Sequence, residues 1–143
     1  METGIYILLF KNTETAIPIG SLGTVRFGGG FHAYVGSALG PAGLSRVRRH
    51  ITLAAEKNKK PRWHVDHLLI NPAFCLVRVY CGKTHNQLEC QLARGIPLLS
   101  IRGFGSSDCH CLAHLFGSPD DPDDQIREAF RRVGVVPLIR EIQ

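Results

Sequence analysis

GIYILLF at residues 4–10 is an aliphatic and aromatic segment that ends at the turn-like cluster KNT at residues 11–13. A short run of aliphatic and aromatic residues bounded by turn formers predicts a buried β-strand. FHAYVG at residues 31–36 alternates in the period of a sheet and predicts a second strand. Between them, residues 16–27 contain proline and glycine, which predicts an edge strand or hairpin. Within this segment, residues 24–27 have the clearer strand pattern.

Along the rest of the chain, apolar periodicity and breaker residues predict the remaining elements. They are helices at residues 44–54, 88–94 and 124–133, strands at 76–80 and 135–142, and an ambiguous segment at 63–70. This order predicts a small α+β fold with a mainly antiparallel sheet flanked by helices. A chain of 143 residues corresponds to one domain, here residues 1–143. Its core spans about residues 4–116, and an acidic linker and a C-terminal helix follow at 118–143.

Composition excludes several classes of protein. Hydrophobic residues make up 44% of the chain and charged residues 20%, which is typical of a globular protein rather than a disordered one. No apolar run approaches the ~18 residues of a membrane span, and the N-terminus lacks the basic leader of a secretory signal. We therefore expect a cytoplasmic protein, nucleoid-associated if DNA is its substrate, whose five cysteines are thiols.

The positive charge of the chain is concentrated in one segment. Residues 46–62 hold seven of the 17 Lys and Arg and one of the 12 Asp and Glu, a local charge of +6, and the remaining charges sum to −1. Such a distribution favours a single anion-facing patch over a uniformly basic surface. A solvated helix face is the alternative interpretation of the arginines in this segment.

Two aromatic-glycine elements, GIY at residues 4–6 and YVG at 34–36, should face each other across the first pair of strands. Together with further motifs, they resemble the GIY-YIG nuclease superfamily, and within it the branch known as Uri-superfamily endonucleases. The motifs that carry the resemblance are GIY at 4–6, YVGSALG at 34–40, GLSRVRRH at 43–50, RWHVDHLL at 62–69, LECQLA at 88–93 and GFGSSDCHCLAHLF at 103–116.

The resemblance implies hydrolysis of phosphodiester bonds with one divalent metal ion, Mg²⁺ or Mn²⁺. It implies four catalytic residues: Tyr6, which helps to deprotonate the attacking water, Tyr34, which lines the site, Arg46, which contacts the scissile phosphate, and Glu89, which holds the metal. The register of the arginine is open between Arg46 and its neighbours Arg48 and Arg49, although the spacing to His50 selects Arg46. The 27 residues between the GIY and YVG elements exceed the minimal motif of the family, which an extra strand at residues 24–27 would explain.

These residue types fit the chemistry of a phosphodiester. An anionic substrate needs charge neutralisation in the transition state, and a guanidinium offers a planar, permanently charged fork for phosphate oxygens. One carboxylate leaves most of the Mg²⁺ coordination shell open to water and phosphate. A free tyrosine has a pKa of ~10 and is a poor base at neutral pH, so Tyr6 needs a nearby cation or metal.

A wider set of residues is predicted to contact nucleic acid. Lys57, Lys59, Lys60 and Arg62 are expected to hold the flanking backbone, so their loss should weaken binding and flatten its salt dependence. The full set comprises Gly36, Ser37, Arg48, Arg49, His50, Lys57, Lys59, Lys60, Arg62 and His64.

Three assignments have structural alternatives. Glu89 lies three residues after Asn86, which also fits a helix capping box. His64 and Asp66 would share a face if residues 63–70 form a strand, and His64 would then orient a water or phosphate or satisfy a polar edge. Tyr6 and Tyr34 could be aromatic residues of the core.

The cluster Asp108, Cys109, His110 and Cys111 with His114 raises the possibility of zinc. Because paired Cys-x-x-Cys motifs are absent, the sequence disfavours structural zinc. The function predicted from the whole pattern is a metal-dependent endonuclease that acts on nucleic acid, with DNA favoured. The alternatives are a non-catalytic nucleic-acid-binding module with the same basic patch and, more weakly, a small zinc-bound interaction domain. A homodimer or a partner protein would supply the targeting that a chain of this length lacks.

Overall fold

A computed structural model describes residues 2–105 and 113–142. The strands are β1 (Gly4–Asn12), β2 (Thr15–Pro18), β3 (Thr24–Phe27), β4 (Gly30–Ala38), β5 (Phe74–Lys83), β6 (Leu99–Ser100), β7 (Leu115–Ser118) and β8 (Leu138–Glu141). The helices are α1 (Ser45–Glu56), α2 (His64–Ile70), α3 (Glu89–Arg94) and α4 (Asp123–Arg132). Six strands form one antiparallel sheet in the order β6-β7-β4-β1-β5-β8, and β2 and β3 form a separate hairpin. The predicted fold class, α+β with a mainly antiparallel sheet flanked by helices, is confirmed.

Strand β1 lies between β4 and β5 and sends its side chains into two cores. Tyr6 and Leu8 lie in the core that α1, α2 and the β2–β3 hairpin cover. Ile5 and Ile7 lie in the core on the opposite face, beneath α3 and α4. Burying each large aliphatic side chain contributes about 1.5–3 kcal/mol to folding. Both faces are covered, which explains why GIYILLF is continuously apolar rather than alternating.

Several predicted elements are confirmed, and one ambiguous segment is resolved. The hairpin expected within residues 16–27 is the β2–β3 pair, and it explains the long spacing between the two tyrosine motifs. Residues 64–70, which the sequence left ambiguous, form helix α2, so His64 and Asp66 do not share the face of a strand. The carboxylate of Asp66 accepts hydrogen bonds from the backbone N–H groups of Arg62 (2.9 Å) and Trp63 (3.1 Å), which favours a helix start over a strand.

None of the helices in the described part of the chain combines the length and apolar character needed to cross a bilayer.

A buried histidine makes the fold sensitive to acid. His32 on β4 is 4% exposed, packs against the rings of Phe27 and Phe74, and places Nδ1 2.8 Å from Oδ1 of Asn12. The Asn12 amide nitrogen donates to two backbone carbonyls, so its Oδ1 acts as the acceptor for the imidazole N–H. Burial lowers the pKa of His32 to about 4.

We expect acidification from pH 7 to 4.5 to lower the free energy of unfolding by about 2 kcal/mol through His32 alone. The unfolded imidazole takes up a proton below its ordinary pKa of about 6.5, whereas the folded one stays neutral until about pH 4. The stability is therefore complete above pH 6.5 and is lost as the pH falls toward 4. Urea unfolding at the two pH values, in the wild type and in His32→Gln, measures the difference. An equal loss in both proteins would contradict this assignment.

Candidate active site

A polar cleft of about 440 Å³ opens on the face of the sheet that α1 and α2 cover. It collects residues from β1, β4, α1, α2, the start of α3 and the residue before β7. The lining residues are Tyr6, Tyr34, Ser37, Arg46, His50, Arg62, Trp63, His64, Val65, Glu89, Gly105 and His114. The four residues predicted to be catalytic, Tyr6, Tyr34, Arg46 and Glu89, therefore meet in one cleft.

The pairing of β1 with β4 creates the space that Tyr6 needs. Tyr6 lies directly opposite Gly36, and Leu8 lies opposite Tyr34. A Cβ atom at Gly36 would stand 2.3 Å from Cζ of Tyr6, so the tyrosine ring occupies the volume that a side chain at position 36 would fill. Gly36, predicted as a nucleic-acid contact, is placed here as the surface against which Tyr6 packs.

Tyr6 and His50 form a buried polar pair. The Tyr6 hydroxyl is 2.9 Å from Nε2 of His50, and both residues are almost fully buried. Burial lowers the pKa of His50 to about 4, so the imidazole is neutral at pH 7 and Nε2 can accept the hydroxyl proton. Burial, and then the neighbouring Tyr34, hold the pKa of Tyr6 well above its ordinary value, although Arg46 opposes that shift. The phenol is therefore protonated at rest, and the cation that the sequence led us to expect beside it does not reverse this.

Arg46 is the arginine that helix α1 presents to the cleft. Its Nη1 donates a 2.9 Å hydrogen bond to the carbonyl oxygen of Ser37, and its guanidinium lies 5.3 Å from the ring of Trp63. Arg48 and Arg49 instead line a separate groove along α1, although the Arg49 guanidinium also lies 5.6 Å from the ring of Trp63. Of the three arginines, Arg46 alone lines the cleft that holds the two tyrosines, which favours the register that the spacing to His50 selected.

Trp63, which the sequence did not single out, lies at the rim of the cleft. It is 41% exposed, and the guanidinium groups of Arg46, Arg49 and Arg62 lie within 5.3–5.8 Å of its ring. A large aromatic ring beside three arginines orders their side chains through cation–π contacts. One feature of the sequence could have pointed to Trp63: it is the only tryptophan of the chain, and it directly follows the basic segment.

His64 is placed in the cleft by the start of helix α2. Its Nδ1 accepts a 2.8 Å hydrogen bond from the backbone N–H of Gly105, which assigns the proton of the neutral ring to Nε2. Burial lowers the pKa of His64, and so does the nearby His67. The ring is therefore neutral near pH 7 and carries one N–H donor toward an anionic ligand.

Glu89 is the first residue of α3 and does not form the capping box that Asn86 suggested. The residue that precedes the helix is Leu88, and no side chain caps this end. The Glu89 carboxylate lies 3.5 Å from Nδ1 of His114, and the sulfur of Cys90 lies 3.8 Å from Nε2 of the same ring. Burial lowers the pKa of His114 and keeps the imidazole neutral.

Glu89, Cys90 and His114 place a carboxylate oxygen, a sulfur and a ring nitrogen within 4.8 Å of one another. A carboxylate and a neutral imidazole on the wall of an open cleft fit a divalent cation.

The cysteines depart from expectation. Cys90 is disulfide-bonded, so the prediction that all five cysteines are thiols was wrong for this residue, whereas Cys75 and Cys81 are free. Cys109 and Cys111, on which the zinc alternative depended, lie outside the described residues.

The remaining basic residues do not form one surface. Arg62 lines the cleft, and Lys59 lines the separate groove along α1 with Arg48 and Arg49. Lys60 is exposed. Lys57 points elsewhere: its ammonium group donates to the backbone carbonyls of residues 69, 71 and 74 at 2.7–3.3 Å. All three of its N–H donors are engaged, so the structure does not bring Lys57 to the cleft for phosphate binding.

Comparison with curated proteins and with solved structures finds no match. A family model described as a domain of unknown function, DUF123, matches residues 5–135. This range includes Tyr6, the whole YVG element and every described residue of the cleft, and of the GIY element it leaves out Gly4 alone. Since the match covers most of the chain, the protein belongs to the DUF123 family.

Proposed function

We propose that this protein is a metal-dependent endonuclease of the GIY-YIG type that hydrolyses phosphodiester bonds in nucleic acid, with DNA as its substrate. One observation carries the proposal: the hydrogen-bonded pair of Tyr6 and His50 shares a cleft with the Arg46 guanidinium and the Glu89 carboxylate. This combination supplies a proton acceptor, a phosphate-binding cation and a metal ligand within reach of one bound group. The superfamily resemblance assigns the same roles to Tyr6, Arg46 and Glu89.

The proton of the attacking water leaves through Tyr6 and His50. As the water oxygen bonds to phosphorus, its proton moves to the Tyr6 oxygen and the Tyr6 proton moves to Nε2 of His50. The raised pKa of Tyr6 makes a free tyrosinate unfavourable, so the two transfers have to be coupled. The bond between phosphorus and the leaving oxygen breaks, and solvent protonates that oxygen. His50 then returns its proton to solvent.

Charge on the phosphate is neutralised by side chains fixed before the substrate arrives. Hydrogen bonding to Ser37 and the contact with Trp63 hold the Arg46 guanidinium in place, so little reorganisation is needed in the transition state. His64 offers its Nε2–H to a second phosphate oxygen. When bound at Glu89, Mg²⁺ or Mn²⁺ supplies Lewis acidity to the phosphate and lowers the pKa of coordinated water.

Cleavage of a substrate panel tests the proposal. Supercoiled plasmid, single-stranded DNA, branched DNA and RNA are incubated with the protein in Mg²⁺, in Mn²⁺ or in EDTA. We expect metal-dependent cleavage of a DNA substrate. Salt-sensitive binding without cleavage in either metal would instead identify the non-catalytic nucleic-acid-binding module.

Arg46→Lys is expected to lower the cleavage rate about a hundredfold, because an ammonium group cannot reproduce the two-pronged contact of a guanidinium with phosphate oxygens. Single-turnover rates at saturating protein measure the chemical step apart from binding. The matched control is Arg48→Lys, two residues further along the same helix, where the side chain lines the separate groove. Equal losses in both variants would contradict the assignment of Arg46 to the scissile phosphate.

A further inference from the structure

We infer that His114 is a second protein ligand of the catalytic metal ion, beside Glu89, and that the site binds Mn²⁺ in preference to Mg²⁺. This inference rests on the proposed function and goes beyond the single carboxylate that the superfamily resemblance implies. It adds a nitrogen ligand from the residue before β7 and a preference of the site for one metal ion over another.

The positions of the two ligand atoms suit one ion. Oε2 of Glu89 and Nδ1 of His114 are 3.5 Å apart. Two adjacent ligands of an octahedral ion with metal–ligand bonds of about 2.1 Å are separated by about 3 Å. A shift of a few tenths of an ångström in the carboxylate, whose side chain is 26% exposed, brings both atoms to that spacing.

The backbone fixes His114 on the wall of the cleft. Its N–H donates to the carbonyl oxygen of Phe104, and its carbonyl oxygen accepts a hydrogen bond from the N–H of Val35 on β4, each at 2.8 Å. The ring is 2% exposed, so it has few alternative positions. A ligand held in this way loses little conformational entropy when a metal binds.

The other ring nitrogen of His114, Nε2, lies beside a hydrogen-bond acceptor. When Nδ1 ligates a metal, Nε2 carries the proton and faces the sulfur of Cys90 at 3.8 Å. A metal-bound histidine usually donates this second N–H to a neighbouring acceptor, which fixes its tautomer. Because Cys90 is disulfide-bonded, its sulfur serves as this weak acceptor and does not act as a thiolate ligand.

Metal preference follows from the ligand types. Mg²⁺ strongly favours oxygen ligands and loses its bound water reluctantly. Mn²⁺ is a first-row transition-metal ion and binds imidazole nitrogen as well as carboxylate oxygen. Replacing one water of the ion by an imidazole therefore favours Mn²⁺. A site built from Glu89 alone would discriminate much less between the two ions.

Pulsed electron paramagnetic resonance on the Mn²⁺-loaded protein tests this inference. We expect electron spin echo modulation from a directly bound nitrogen, and a change in that modulation when the histidines carry ¹⁵N. This measurement uses the wild-type chain and does not depend on any variant folding. His114→Gln should abolish the nitrogen modulation and raise the Kd of Mn²⁺ about tenfold or more, with a smaller change for Mg²⁺. The matched control, His64→Gln, changes another histidine of the cleft and should keep the modulation.

The outcomes separate the two proposals. Mn²⁺ binding that requires Glu89 but shows no nitrogen modulation would overturn the role of His114 and leave the proposed nuclease intact. Modulation that persists in His114→Gln and disappears in His64→Gln would overturn it as well. No Mn²⁺ binding to the wild type at millimolar concentration would remove the metal dependence of the proposed nuclease together with the role of His114.

Discussion

Replacing Tyr6 with phenylalanine is expected to lower the rate of phosphodiester hydrolysis about a thousandfold, within the range of general acid–base catalysis. The change removes the oxygen that hydrogen-bonds to Nε2 of His50 and leaves the ring against Gly36. Without this oxygen, the proton of the attacking water has no route to the neutral imidazole. The melting temperature should fall moderately, because the ring continues to fill the same space but Nε2 of the buried His50 loses its hydrogen-bond partner.

A double substitution distinguishes a proton relay from two independent contacts. If Tyr6 and His50 act as one unit, the combined variant Tyr6→Phe with His50→Gln should be about as slow as the slower single variant. Single-turnover rates of the four proteins, each with its melting temperature, provide the comparison. The relay would be contradicted if the rate loss of the double variant equalled the product of the two single losses. A Tyr6→Phe protein that keeps more than a tenth of the wild-type rate would contradict it as well.

Gly36→Ala is expected to reduce activity at least as far as Tyr6→Phe and to destabilise the fold by about 2–3 kcal/mol. The added methyl group would stand 2.3 Å from Cζ of Tyr6, well inside van der Waals contact, so the ring has to leave its place. Overpacking of this kind strains a core, and displacement of the reacting group by even 1 Å lowers catalysis strongly. Urea unfolding and single-turnover cleavage measure the two effects separately.

The matched control for this substitution lies a few residues further along the chain. A Cβ at Gly40 would meet no atom within 4 Å, so Gly40→Ala should leave both stability and rate nearly unchanged. A Gly36→Ala protein with the wild-type rate would show that the ring of Tyr6 is free to move aside without loss. The position of Tyr6 against Gly36 would then carry no catalytic meaning.

The sequence predicted the central strand and the convergence of the tyrosines because both depend on local patterns. An uninterrupted apolar run implies a strand covered on both faces, and the pairing of β1 with β4 then brings Tyr6 against Gly36. Helix α2 was not predicted, because seven residues carry too little periodicity to separate helix from strand. Its decisive feature is the carboxylate of Asp66 bonded to the N–H of Trp63, which sequence spacing only suggests.

The roles of individual polar side chains depended on contacts that no spacing reveals. Asn86 and Glu89 have the spacing of a capping box, yet the helix begins without a side-chain cap. Lys57 belongs by sequence to the basic segment, but it ends helix α1 with a left-handed backbone conformation. Its ammonium group donates hydrogen bonds to three backbone carbonyl oxygens. The sequence predicted that His50 contacts nucleic acid, but it gave no sign of the hydrogen bond to Tyr6, 44 positions earlier in the chain.

The placement of Tyr6 on the middle strand of the sheet has a consequence for how this site responds to stress. β1 is hydrogen-bonded along both edges and packed on both faces, so its amide protons belong to the part of a fold that exchanges with solvent only on global opening. Partial fraying at the sheet edges leaves the tyrosine in place. For the proposed nuclease, the concentration of competent sites is therefore the concentration of folded molecules, and we expect remote core substitutions to lower total activity without altering the turnover of each molecule that remains folded.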